Sequence, residues 1–424
     1  LKEQRGDMKK VILLVMLLPV VLFGQQYSFE SLMEKGLSQS YTAKLNAMNL
    51  QSSASQLSSA KWNLLPEANL SLGTNYRLYD PHPELKSSDL SSSFSFQVSK
   101  TFTLNDPAWF SYQNALLNQE KAQIRKDSNI RGYVYQCFSA YLDVLSSTRQ
   151  LVSLEENQRL QNRILEQSRV LLRQGKATEF EVKQNEISQM NSQIGILKMQ
   201  NNIDKSRKNL FNLLGIKDEG FALAELDYTA ESEVPALALT DVDALRLMQK
   251  DIEEQNLSLY QYQLDLLPRI SVSYNFNRGV SGFDYAFDSY SSSHGIALNF
   301  SYSLWNQFRQ SETVKRAKIS KILTELAKED KESEVSRDYE LYREELSYHI
   351  RLDELYEQKR DQAEEQIRNA EERYRLGMIQ QLDLDKARSE FLDADIAYST
   401  NRYQIIAKQE AINYLLSNKI LGKW

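Results

Sequence analysis

The sequence predicts a mainly α-helical chain interrupted by two pairs of amphipathic β-strands, with the whole plan written twice. Three observations carry this. Only 14 Gly and 7 Pro occur in 424 residues, which suits long uninterrupted helices better than an all-β or doubly wound fold. Four short stretches alternate apolar and polar residues with a period of two, the pattern of a strand with one greasy face. Finally, one offset of 202 positions relates Pro66 to Pro268 (each in Leu-Leu-Pro), Gly175 to Gly377, and Leu213-Leu214 to Leu415-Leu416. Chance matches spread along a chain do not keep register, so the sequence reads as a tandem duplication.

Residues 1–24 stand apart. Met8-Lys9-Lys10 precedes the apolar run 11–24, and a small residue stands before Gln25. This is the layout of a secretory signal peptide, with 1–7 ahead of the start codon. The run is too short to span a bilayer as a helix; an N-terminal anchor is the alternative. The sole cysteine, Cys137, excludes a disulfide within one chain and a lipidated N-terminal cysteine.

The first repeat is expected over 25–215, a linker over 216–240 and the second repeat over 241–424. Each reads helix, strand, loop, strand, very long helix, turn, helix. Leading helices near 28–64 and 241–267 end at the corners Pro66 and Pro268. Hairpins follow at about 68–103 and 270–305. The first strand sets Ala68, Leu70, Leu72, Thr74, Tyr76 and Leu78 against Asn69, Ser71, Gly73, Asn75 and Arg77. The second sets Phe94, Phe96 and Val98 against Ser93, Ser95 and Gln97; the third, Ile270 to Phe276, and the fourth, Ile296 to Leu304, repeat the pattern. Loops are expected near 80–90 and 278–295.

About ten residues is the length that a tilted strand needs to cross a bilayer. Aromatic residues flank the apolar stretches, with Tyr76, Tyr79, Tyr274 and Phe276 on the loop side and Phe102, Tyr302 and Trp305 on the other, as bilayer interfaces select. A soluble sandwich would need a second inner face, and no further strands are available to supply it. Four strands cannot close a barrel, and open edges in lipid cost several kcal/mol per unpaired group. Copies must therefore share one barrel. Two copies give a filled interior and three give a lumen; the small polar residues of the other face favour three, a homotrimer with a twelve-stranded barrel in lipid.

Asn105-Asp106-Pro107 is a helix start, and no further proline occurs up to Arg173. That stretch is roughly 100 Å long if helical throughout. Apolar positions recur at Ile130, Val134, Cys137, Tyr141 and Leu145, and again at Val335, Tyr339, Tyr342 and Leu346, at helical spacing. Returning helices 178–214 and 381–416 are about half as long. A leading and a returning helix stacked end to end roughly match one long helix. The linker, with Gly220 and Pro235, is expected as a mixed patch at mid-height. With the bilayer at one end, the helices project from one side as a tube or stalk.

This plan resembles the TolC-like outer membrane efflux protein family over most of residues 27–421. The resemblance rests on the duplication, the two Leu-Leu-Pro corners, Ser303-Leu304-Trp305-Asn306, and the stretch Arg373-Tyr374-Arg375-Leu376-Gly377 continuing to Leu384. It implies a trimeric β-barrel in the outer membrane continued by a periplasmic α-helical barrel. The implied role is a passive export duct whose tips dock on a periplasmic adaptor serving an inner membrane pump of the RND or ABC type. No cofactor is implied. The tip residues Arg173, Gln174, Gly175, Arg375, Leu376 and Gly377 are candidates for adaptor docking. Tyr374 matches a family tyrosine near the closed periplasmic aperture, and Glu181 and Asp383 fall near acids that ring it. Such a ring favours cations; ordinary helix N-terminal acids are the alternative. Arg173 and Arg375 are candidate partners for tip acids, or simply solvated. Ile379 stands where the family has a basic residue, so the family's bonding network is incomplete here.

Other classes are poorly supported. Net charge is −6 with no basic stripe, against nucleic acid binding. His82, His294 and His349 show no metal-ligand spacing, and no phosphate loop or nucleophile constellation occurs. The remaining contest is between a small-molecule efflux duct, a protein-secretion duct and a non-conducting stalk.

Overall fold

The computed structural model describes residues 27–78, 90–220, 222–226, 234–283 and 285–423. The leader and the loop with Tyr79 and His82 lie outside the described residues. The chain runs α1 (Phe29–Gln39), α2 (Tyr41–Trp62), β1 (Glu67–Tyr76), β2 (Leu90–Thr103), α3 (Pro107–Arg173), α4 (Glu179–Leu214), α5 (Asp243–Leu264), β3 (Arg269–Phe283), β4 (Ser289–Ser301), α6 (Asn306–Arg375) and α7 (Gln381–Leu415). A single 3-10 turn, Leu239–Asp241, precedes α5.

Helices α3 and α6 have 67 and 70 residues, roughly 100 Å each. The Asp106 side chain caps α3 by accepting from the Ala108 amide at 2.9 Å, with Pro107 in the first turn. Shorter helices lie along them, α2 above and α4 below on α3, α5 above and α7 below on α6.

The leading stretch of the first repeat is two helices rather than one. Ser40 breaks it: its backbone is extended, its amide donates to the Gly36 carbonyl at 2.7 Å, and its hydroxyl accepts from the Ala43 amide at 3.1 Å. One serine thus ends α1 and caps α2, turning α1 onto the middle of the molecule. There Phe29, Leu32 and Met33 pack with Val134, Cys137, Phe138 and Tyr141 of α3 and with Leu210 and Leu214 of α4. A second core joins Val242 and Leu245 to Val335, Tyr339, Leu346, Ile412 and Leu416. Together they form an equator at mid-height. The linker contributes here: Tyr27 pairs with Leu223 in a parallel bridge, and the Tyr339 hydroxyl donates to the Pro235 carbonyl at 2.9 Å.

Four strands form one antiparallel sheet in the order β1-β2-β3-β4. Pro66 and Pro268 each stand one residue before a strand, after matching turns in which the Leu65 and Leu267 amides donate to the Trp62 and Leu264 carbonyls, both at 3.0 Å. Proline cannot continue the helix, and its fixed φ starts the extended run.

The second hairpin differs from expectation. β3 continues to Phe283 and β4 begins at Ser289, so most of the expected 278–295 loop is strand and His294 sits on β4 opposite Phe276. Tyr274 and Phe276 lie mid-strand, not at the loop-side end. Tyr302 and Leu304 fall after β4, and Leu78 after β1. Strand length follows hydrogen bonding rather than hydropathy, so the ladder outlasts its apolar face.

Candidate functional site: a barrel wall and paired helical tips

The pairing puts Leu70 opposite Phe96, Leu72 opposite Phe94, Val98 opposite Phe276 and Val272 opposite Leu298. All these lie on one side of the sheet. Leu70, Leu72, Ile296, Leu298 and Phe300 are largely bare. Among the described residues no helix packs along that face. Outward apolar positions on β3 run from Ile270 to Val280, interrupted at Arg278. At strand rise and a tilt of about 40° that spans roughly 26 Å, close to the height of an outer membrane apolar band.

Two outward cations lie within this span, Arg278 between Phe276 and Val280 and Lys100 opposite Tyr274, neither singled out by the sequence reading. Arg278 lies over the Tyr290 ring at 5.1 Å, and Lys100 over Phe102 at 5.8 Å. Long cationic stems with aromatic neighbours are typical of a bilayer interface. Exposed Trp305 and Phe308 extend the lower aromatic belt.

The opposite face is Ser71, Ser95, Ser273, Asn275, Asn277 and Asn299 among others, and the Ser71 and Ser95 hydroxyls share a hydrogen bond of 2.6 Å. Among the described strand residues this face carries formal charge only at the helix-side rim, Glu67 and Arg269. β1 and β4 each have one unpaired edge within the chain.

At the far end of the helices are two matching turns. Gly175 and Gly377 have φ of 71° and 70°, the left-handed conformation that glycine adopts without steric cost. Each closes a Schellman turn. The Lys176 amide donates to the Leu171 carbonyl and the Gly175 amide to Leu172, both at 2.9 Å; the Met378 amide donates to Arg373 at 2.8 Å and the Gly377 amide to Tyr374 at 2.9 Å. Arg173, Gln174, Arg375 and Leu376 are exposed around them, and Tyr374 is half-exposed.

Glu181 and Asp383 both serve capping boxes. The Thr178 amide donates to the Glu181 carboxylate at 2.9 Å, and the Gln380 amide to the Asp383 carboxylate at 3.3 Å. These bonds hold each acid to its own turn. The tip arginines are not their partners: among the described residues the ion pair nearest the first tip is Arg169–Glu186 at 2.7 Å, one turn above Arg173. The short loop leaves Arg173 beyond the end of the antiparallel pair, whereas Arg169 faces α4.

Between the hairpins, α3 packs on α7. Arg163 pairs with the buried Asp385, and Ser153 hydrogen-bonds Asp393. Above the equator Lys121 bonds Asp251 at 3.1 Å and Glu254 at 2.5 Å. Burial pulls the Lys121 ammonium down, but those carboxylates outweigh it and hold it above its ordinary value.

The outer membrane efflux protein family matches residues 39–216 and 234–418, both repeats and most of the chain. The chain belongs to the outer membrane efflux protein family. It is accordingly an efflux duct of the outer membrane with a periplasmic helical extension, in a family of channels. Solved structures share the fold. The Campylobacter jejuni CmeC outer membrane channel is 14% identical with a TM-score of 0.74, over 93% of this chain and 86% of that one. The Vibrio cholerae outer membrane protein VceC is 14% identical with a TM-score of 0.72, over 93% and 96%. The open state of the Neisseria gonorrhoeae MtrE outer membrane channel is 14% identical with a TM-score of 0.66, over 93% and 90%. No curated protein matches.

Proposed function

We propose that three copies close one twelve-stranded barrel, β4 of each pairing with β1 of the next, and that the duct exports small molecules delivered at its periplasmic tips. The single observation that carries this is a four-stranded sheet with two open edges and one bare apolar face. Unpaired edge groups cannot remain in lipid, so the sheet must close with others like itself. The mass of the detergent-solubilised protein tests it, with three chains expected; a lone chain in that particle rejects it.

The paired tips serve as the docking points for a periplasmic adaptor, itself fed by an inner membrane pump. Replacing Gly175 and Gly377 together by tryptophan strains each turn by about 1–2 kcal/mol, too little to unfold helices anchored along their length. Membrane assembly should persist while efflux falls to background. Normal drug resistance in that double variant would count against docking there.

The six carboxylates of Glu181 and Asp383 in such a trimer form a ring that favours cations at the entrance. Glu181→Gln with Asp383→Asn isolates the charge, because an amide oxygen still accepts the cap hydrogen bond. Single-channel recordings should show reduced cation preference; unchanged preference leaves these acids as caps alone.

A further inference from the structure

Below the equator the helices of one chain pack side by side in the order α4-α3-α7-α6, and above it α2-α3-α5-α6. The inner seam of this array joins repeat one to repeat two. Among the described residues its flanks, α4 and α2 on one side and α6 on the other, meet no further long helix, and only the short α1 also touches α4 and α2. The repeats keep their offset of 202 at both corners, both tip glycines and both capping boxes. That offset therefore converts the inner seam into the seam these flanks would make with a neighbouring copy. The pair α3·α7 becomes α6·α4 of the next copy, and α3·α5 becomes α6·α2 of the next copy.

The conversion reverses one ion pair of the α3·α7 seam, Arg163–Asp385, while Arg149–Asp395 maps onto Arg351 and Gln193. Arg163 on α3 maps onto Glu365 on α6, and Asp385 on α7 maps onto Lys183 on α4. A pair that is cation-to-anion inside the chain becomes anion-to-cation across the boundary, at the same height. Lys183 and Glu365 are exposed, and among the described residues neither has an ion-pair partner. Above the equator the charges give way to apolar side chains. Glu120–Lys250, an ion pair of 2.9 Å, maps onto Ile322 and Met48; Lys121 maps onto Leu323. Ile322, Leu323 and Met48 are all exposed. Each seam is thus complementary, but by different chemistry.

We propose that α6 of one copy meets α4 of the next through Glu365 and Lys183, with a polarity that matches the alternation of repeats set by the β4-to-β1 closure. Repeat one beside repeat one would face Arg163 with Lys183, and would leave the buried Lys121 opposite Asn49 and Ser52, the equivalents of Asp251 and Glu254. Repeat two beside repeat two would face Glu365 with Asp385. Both errors are repelled, while the alternating order sets Arg163 against Asp385 and Glu365 against Lys183. The partner is a second copy of this chain. The inference rests on the trimeric reading above but assigns its lower helical seam to named residues.

Cross-linking in the full chain tests it. Lys183→Cys combined with Glu365→Cys, treated with a short bifunctional maleimide, should give covalent dimers and trimers on denaturing gels. Arg163→Cys with Asp385→Cys should give only an internally linked monomer. The native Cys137 stays silent, being fully buried with its thiol pushed up to about 11 by that burial. Charge reversal gives the second readout. Glu365→Lys alone should weaken trimer association by roughly tenfold, three weak pairs acting together, and adding Lys183→Glu should restore it. A trimer of normal mass with no inter-chain link at these positions, or a double reversal no better than the single, overturns the seam assignment and leaves the duct standing. Absence of any trimer in detergent overturns both.

Discussion

Replacing Leu72 with arginine will empty the outer membrane of folded protein, whereas the same replacement at Ser71 will not. The two residues are adjacent on β1, pairing with Phe94 and Ser95, so they point to opposite faces. An arginine on the lipid face near the bilayer midplane costs about 2–4 kcal/mol, and three copies in one barrel would multiply that to roughly 6–12 kcal/mol. On the other face the guanidinium meets water. Outer membrane fractionation with heat-dependent gel mobility reads the result. Equal assembly of both variants would mean that the Leu72 face does not contact lipid, because a register error of one residue exchanges the faces completely.

The second large effect is at Asp243, the first residue of α5. Its side chain is 4% exposed and pairs with Arg131 of α3, itself only 19% exposed, and with Arg246 at 3.2 Å; its amide donates to the Ser417 hydroxyl at 2.9 Å. One carboxylate therefore ties the long helix of the first repeat to the leading helix of the second. Asp243→Ala will strip Arg131 of the carboxylate it pairs with, leaving Asp127 as the acid that favours its charge, a loss of about 3 kcal/mol. Arg131→Met combined with Asp243→Leu should recover much of that, since two well-packed apolar groups need no counter-charge. The thermal midpoint of the purified protein checks both. An unchanged midpoint in Asp243→Ala would show that the carboxylate does not hold the repeats together.

The long helices, the duplication and the first hairpin were legible because each writes itself locally. β1 keeps strict alternation to Tyr76, and α3 announces its start with Asp106-Pro107. The second hairpin was legible only as far as lipid demands an apolar face. Beyond Phe276 the outward positions include Arg278 and Gly282, and on β4 His294 and Ser292. The ladder continues there by backbone bonding alone, which hydropathy does not record. Ser40 was hidden for another reason: a serine inside a helical pattern is common, and only the packing of α1 against Leu210 and Leu214 makes a break there favourable.

At the tips, Thr178-x-x-Glu181 already spells a capping box, so the structural duty of Glu181 was available in advance. Gln380-x-x-Asp383 performs the same duty with an unusual cap residue, and its offset of 202 was the better guide. Asp385 with Arg163 could not be found that way. The two stand 222 positions apart, and nothing local distinguishes them from solvated charges on the same helices.

The uncharged inner wall of the strands has a consequence for transport. A passage without fixed ions establishes no Donnan potential, so anions and cations would partition into the middle of the barrel equally. Sorting by valence then falls to the rims and the periplasmic entrance, and within the membrane a solute is slowed by its girth rather than its sign.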